Sequence, residues 1–175
     1  LAAVVGFGAA PTAVLADPDT SGTSYERYVP GPGIWAPIRS DEAGDIIMRA
    51  VRRFHYEIAE LSDGDVATIH QYPGQPQSSY FGLLKRHMAV YISPGKYPVG
   101  VKGGFWPHEV EIIREIIKDA NGVLLWGGDL TVAEEGLFYI SDHADESDVQ
   151  MLGDRQASED EIGMVGGAGS ILPEG

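Results

Sequence analysis

Residues 121–141 read NGVLLWGGDLTVAEEGLFYIS, and they decide how the rest of the chain is organised. Asn121-Gly122 is a stop signal for the segment before it, because both residues accept the left-handed backbone that ends helices. VLLW (123–126) is a short apolar run bounded by glycines, the pattern of a strand. Gly127-Gly128-Asp129 forms a turn, and GLFYIS (136–141) is a second short strand. The acidic pair Glu134 and Glu135 stands just before it, and such a pair on a loop is expected to be solvated. The segment has the frame of a hydrolase site, with carboxylates and a glycine turn beside a strand. It holds no His or Cys to carry the chemistry.

Upstream, Pro107 suits the first turn of a helix, where its missing N–H costs nothing. Val110, Ile113 and Ile117 mark one face of that helix, widened by Ile112 and Ile116. PGKYPVGVKGG (94–104) is a Gly/Pro loop, and HMAVYIS (87–93) reads as a strand closed by Pro94-Gly95. PGQPQSSYFG (73–82) is a loop by composition, while DVATIHQY (65–72) alternates like a strand. Ile47, Val51, Phe54, Ile58 and Leu61 recur at helical spacing behind Ser40. They predict an amphipathic helix over 41–61 with Ser40 as its N-cap.

These shifts divide the chain into an apolar arm and linker (1–37), a domain (38–141) and an acidic, Gly-rich tail (142–175). The linker proper, 17–37, is rich in Pro, Gly, Ser and Thr and is expected to lack a core of its own. One short helix is expected in the tail, near 146–152. No internal repeat is visible. The order helix, strands, helix, strands predicts an α+β fold, a small, mostly antiparallel sheet with helices packed on one side.

The run LAAVVGFGAAPTAVLADPD (1–19) is similar to the apolar core and cleavage site of a secretory signal, with Val14-Leu15-Ala16 as the cleavage tripeptide. No basic residue precedes its apolar core. Pro11, its glycines and its length argue against a membrane-spanning helix. The expectation adopted is an apolar arm that packs on a partner, with a signal remnant as the alternative.

Net charge is −14, from 26 acidic and 12 basic residues. Nucleic acid and anionic membrane surfaces demand a basic face, so neither is expected as the main partner. With no Cys, disulfides, zinc–thiolate sites and Cys nucleophiles are excluded. The five His are His55, His70, His87, His108 and His143. None forms an HxxxH or HExxH pair. His55 reads as helix packing and His108 as solvated. His70, His87 and His143 with a carboxylate remain a conceivable relocated site. No GxSxG elbow and no phosphate loop occurs.

The stretch KYPVGVKGGFWPHEVEIIREIIKDANGVLLWGGDLTVAEEGLFYI (96–140) resembles the D-alanyl-D-alanine metallopeptidases, the zinc carboxypeptidases and phage endolysins that cut peptidoglycan stem peptides. In that family a core like SNHxSGxAxDxNxxxHPxG is followed by a helix, WGGD and a D/E-x-x-H-F-E strand. The resemblance covers about 35 to 141 and needs no gap from 83 to 140. It implies a hedgehog/D-Ala-D-Ala peptidase-like fold. It also implies where zinc ligands would stand. Laid back from YPVG, the first His falls on Leu84, and the Asp seven positions later falls on Tyr91. The last His falls on Leu137, ahead of the matching Phe138. The catalytic acid three positions earlier falls on Glu134 and is kept. SNHxSG has become LLKRHM.

The expected site is therefore a vestigial cleft of Leu84, Tyr91, Trp126, Glu134 and Leu137, with no metal, no cofactor and no catalytic residue beyond the leftover base. A Glu without a metal-activated water has nothing useful to deprotonate. The function so implied is that of a non-catalytic peptidase-like structural protein of a phage virion, in the tail or another part, serving assembly or attachment to the host wall. Its expected partners are other virion proteins, copies of itself, or a cell-wall peptide. The alternatives are a secreted wall-binding pseudoenzyme and an active metallopeptidase with relocated ligands.

Overall fold

The computed structural model describes residues 26–68 and 80–167, with side chains through 159. The apolar run 1–19, His70 and most of the loop 73–82 lie outside those residues.

Six strands and four α-helices are described. The chain opens with a hairpin, β1 (Arg27–Val29) and β2 (Ile34–Ala36), paired antiparallel. This falls inside the segment expected to be a coreless linker. Val29, Ile34 and Ala36 point inward and are buried, while Tyr28 and Trp35 point outward. Two three-residue alternations around a Pro-Gly-Pro-Gly turn were too short to outweigh the linker-like composition.

Helix α1 (Glu42–Glu57) buries Ile46, Ile47, Ala50, Val51 and Phe54. Its N-cap is Asp41, not Ser40. The Asp41 backbone is extended, and its Oδ1 accepts the Gly44 N–H at 3.1 Å. Gly44 has no room for a side chain, since a Cβ would lie 1.8 Å from the Arg39 carbonyl oxygen. The helix stops short of Leu61, whose N–H instead donates to Nδ1 of His55 at 2.9 Å.

The main sheet has the order β3-β4-β6-β5, every neighbour antiparallel. Its strands are β3 (Val66–Ala67), β4 (Ala89–Ile92), β5 (Leu124–Trp126) and β6 (Leu137–Ile140). All four residues of β4 and of β6 are buried, so both faces of the sheet are covered. On one face Val90, Ile92, Phe138, Ile140, Leu124 and Trp126 join the core formed with α1 and α3 (Pro107–Asp119). Helix α3 starts at Pro107, where the Glu109 carboxylate accepts the Trp106 N–H at 2.7 Å. It ends, as Asn121-Gly122 predicts, with both residues at positive φ.

The other face carries a second cluster under a short helix, α2 (Phe81–Lys85), so helices lie on both sides of the sheet rather than one. Helix α2 sits where a loop and the lead-in to a strand were expected. It brings only Leu83 and Leu84 to the core, too few to show a period. The coarse α+β class holds.

Helix α4 (Glu146–Gly167) is far longer than the short helix expected in the tail. It packs along α1. Val149, Leu152 and Gln156 recur at helical spacing, and Leu152 and Gln156 are buried. Between them the helix is polar, which is why its pattern was weak. No helix among the described residues is long and apolar enough to cross a membrane.

Candidate functional site

The register of β4 on β6 sets Tyr91 directly opposite Leu137. Both side chains leave the sheet on the α2 face. Leu84 of α2 closes over them, and all three are buried in one cluster with Leu83, Ala89 and Tyr139. Tyr80, at the start of α2, adds a ring 4.5 Å from that of Tyr139. Burial lifts the Tyr139 phenol well above its ordinary value, so it stays protonated.

Glu134 enters this cluster from the loop before β6. It is buried, and Tyr91 Oη donates to its Oε2 at 2.5 Å. The loop geometry explains why. The Glu134 N–H donates to the Gly127 carbonyl at 2.9 Å, and the Leu137 N–H donates to the Glu134 carbonyl at 2.9 Å. A Cβ at Gly127 would lie 2.3 Å from that Glu134 oxygen, so the glycine turn is what lets the loop fold back.

Glu135 points elsewhere. Gly103 and Gly104 donate their N–H groups to its two carboxylate oxygens, each at 2.8 Å. Its backbone carbonyl accepts Nε1–H of Trp126 at 2.6 Å. The two glutamates are thus both buried and separately partnered, not a solvated pair. A carboxylate leaves water only where hydrogen bonds replace it, and here the Gly103-Gly104 backbone and the Tyr91 phenol supply them. No local feature of the sequence reveals those donors, because they come from segments 30 to 45 residues away in the chain, such as Gly104 at a separation of 31 and Tyr91 at 43.

Of the five positions expected to line one cleft, Leu84, Tyr91, Glu134 and Leu137 come together. Trp126 does not. It lies on the opposite face among Phe105 and Phe138, with the Arg114 guanidinium 5.0 Å above its ring. The four that converge are packed together rather than open to solvent. An open cleft of about 470 Å³ does exist elsewhere, between the starts of α1 and α4 and the end of α2. None of the five lines it.

Zinc needs deprotonated N, O or S donors converging at about 2 Å. Leu84 and Leu137 offer none, and the Tyr91 hydroxyl is spent on Glu134, so these residues do not fit the ion. Among the described residues no group of three or more His, Asp or Glu side chains is placed to hold a metal. His55 accepts from Leu61, and His87 Nδ1 lies 3.0 Å from the Pro37 carbonyl. His108 and His143 are exposed. His70 lies outside the described residues.

Comparison with known proteins adds nothing to this. No protein-family model, no curated protein and no solved structure matches the chain.

Proposed function

We propose that this chain is a non-catalytic relative of the D-alanyl-D-alanine metallopeptidases, with a hedgehog/peptidase-like fold. It serves as a structural protein of a phage particle, in the tail or another part, for assembly or host-wall attachment. The observation that supports the loss of catalysis is the Tyr91–Glu134 bond inside the Leu84–Leu137 cluster. The resemblance implies zinc at the point where these side chains meet. Two leucines and a phenol there favour apolar packing over ion binding, and they occupy the base that a zinc-bound water would need. The virion setting and the partners follow from the resemblance, since peptidase-like modules recur in phage tail tips.

Zinc restoration tests the reading. In the triple variant Leu84→His, Tyr91→Asp, Leu137→His, with Glu134 kept, the family's ligand set returns to its frame. That variant is expected to retain about one equivalent of zinc after exhaustive dialysis, and the unaltered chain none. Elemental analysis reads both. Stoichiometric zinc in the unaltered chain would sink the proposal. A folded triple variant without zinc would show that the three positions do not share a ligand geometry.

A further inference from the structure

The β1–β2 hairpin shows solvent an aromatic face that the core does not use. Tyr28 and Trp35 are directly opposed across the strands, 51% and 58% exposed. Their ring centroids lie 5.7 Å apart at 63°, an edge-to-face corner rather than a flat stack, with the outer ring surfaces left to solvent. Tyr56 of α1, 64% exposed, stands beyond the turn. Exposed aromatics scattered singly are ordinary, but a contiguous exposed patch marks a contact site.

The corner is built rigidly. Pro30 and Pro32 alternate with Gly31 at φ +100 and Gly33 at φ +73. A Cβ on Gly31 would lie 2.4 Å from Tyr56 Oη, and one on Gly33 would sit 3.6 Å from Tyr28 Oη. Gly31 therefore lets the Tyr56 phenol lie against the turn, while Gly33 is set by its positive φ rather than by the Tyr28 phenol. The Trp35 N–H donates to Asp63 Oδ1 at 2.9 Å, which fixes a carboxylate beside the strand. Asp63 is exposed, and no cation among the described residues pairs with it. Neighbouring basic residues are drawn away. Arg27 turns to the inner side, onto Asp45 at 2.8 Å and the Arg39 carbonyl at 2.6 Å. Arg53, one helical turn before Tyr56, is held by Glu57 and Asp119.

We propose that the Tyr28–Trp35 corner, with Asp63, docks a lysine or arginine side chain presented by a basic segment of a partner protein. The π-faces attract a cation through their quadrupole, and the Asp63 carboxylate supplies a full countercharge. The net charge of −14 steers a basic segment toward the molecule. A neutral sugar could stack on the same rings, but it would use neither the carboxylate nor the field.

The test follows the Trp35 indole N–H resonance while a heptalysine peptide is titrated into the whole chain, with chitotriose as the neutral probe. Saturable movement of that resonance by heptalysine is expected. Trp35→Ala, read on backbone resonances of the hairpin, is expected to weaken the affinity about threefold to fivefold. Asp63→Asn is expected to weaken it about twofold, and Trp35→Phe, which keeps a π-face, to weaken it less than Trp35→Ala. A dispersed Trp126 indole resonance reports that each variant is folded. An unmoved Trp35 resonance overturns the proposal. So does an affinity that Trp35→Ala and Asp63→Asn leave unchanged, which would be bulk charge attraction only. Saturable binding of chitotriose without any effect of heptalysine assigns the corner to a neutral glycan and overturns it too.

Discussion

At Tyr91 one hydroxyl faces a buried carboxyl group. Glu134 sits away from bulk water, where its oxygens need hydrogen-bond donors. The phenol is one of those donors, at 2.5 Å. Tyr91→Phe removes it and leaves the ring in place, so packing against Leu84 and Leu137 is preserved. The loss is that of a charge-assisted bond with its acceptor left short of a partner, about 1–3 kcal/mol. Urea denaturation at neutral pH measures it. Glu134→Gln keeps an acceptor for the phenol and discards the buried charge, so its cost is expected to be smaller than that of Tyr91→Phe. The reverse order would mean that the carboxylate is held mainly by other groups. The same residues show where a resemblance stops being informative. It brings Leu84, Tyr91 and Leu137 to mind as three separate replacements, and only the β4–β6 register shows two of them facing each other.

Helix α1 begins where an aspartate, not a serine, can turn its carboxylate onto the first free N–H groups. Asp41 also takes Nε and Nη2 of Arg39, at 2.7 and 2.5 Å. Burial pushes the Asp41 carboxyl up, but the Arg39 and Gly44 hydrogen bonds outweigh it and leave it below the ordinary carboxylate range. A carboxyl lowered in the folded state stabilises fully above its unfolded value and loses that contribution as pH falls through its folded value. Asp41→Ala is therefore expected to cost about 1 kcal/mol at pH 7. The gap between variant and parent should close as denaturation is repeated at pH values falling below about 4. A gap that stays constant with pH would mean that the cap does not act through its charge. Elements with a strong period were legible in this way to within a few residues. The apolar stripe of α1, Pro107 and Asn121-Gly122 around α3, and the runs that became β4, β5 and β6 could all be read. The hairpin β1–β2, α2 and most of α4 were not, since each places only a few residues in the core and leaves the rest polar or Gly/Pro-rich. Burial of Glu134 and Glu135 was illegible for a different reason, because its donors are supplied by distant segments.

Across the whole molecule, the segment that reads as an acidic tail is part of the folded body. Helix α4 lies along α1 with Leu152 buried and Val149 half-buried. Gly153 crosses the first turn of α1 so closely that a Cβ would meet Glu42 at 2.7 Å. Arg49 of α1 reaches Glu159 at 3.0 Å, and Arg155 donates to the Asp119 carbonyl at the end of α3 at 2.9 Å. The Arg49–Glu159 ion pair is partly exposed and the Arg155 hydrogen bond is exposed, so each contributes little on its own, and the apolar seam must carry the attachment. In a chain of net charge −14, an acidic helix would otherwise be repelled from the body. Leu152→Ala removes the buried apolar side chain that α4 brings to the seam and is expected to cost about 2 kcal/mol, at the low end for a buried leucine because the seam lies near the surface. Deleting 142–175 uncovers the α1 surface altogether and is expected to lower the urea midpoint further and to promote association through the exposed strip. Urea melts and light scattering on the two variants distinguish the outcomes. If both leave the midpoint unchanged, the body up to residue 141, hairpin included, stands alone and α4 is an appendage free to order on a neighbour. A graded loss, larger for the deletion, makes α4 the second wall of the α1 core, and any assembly contact must then use a surface other than that seam.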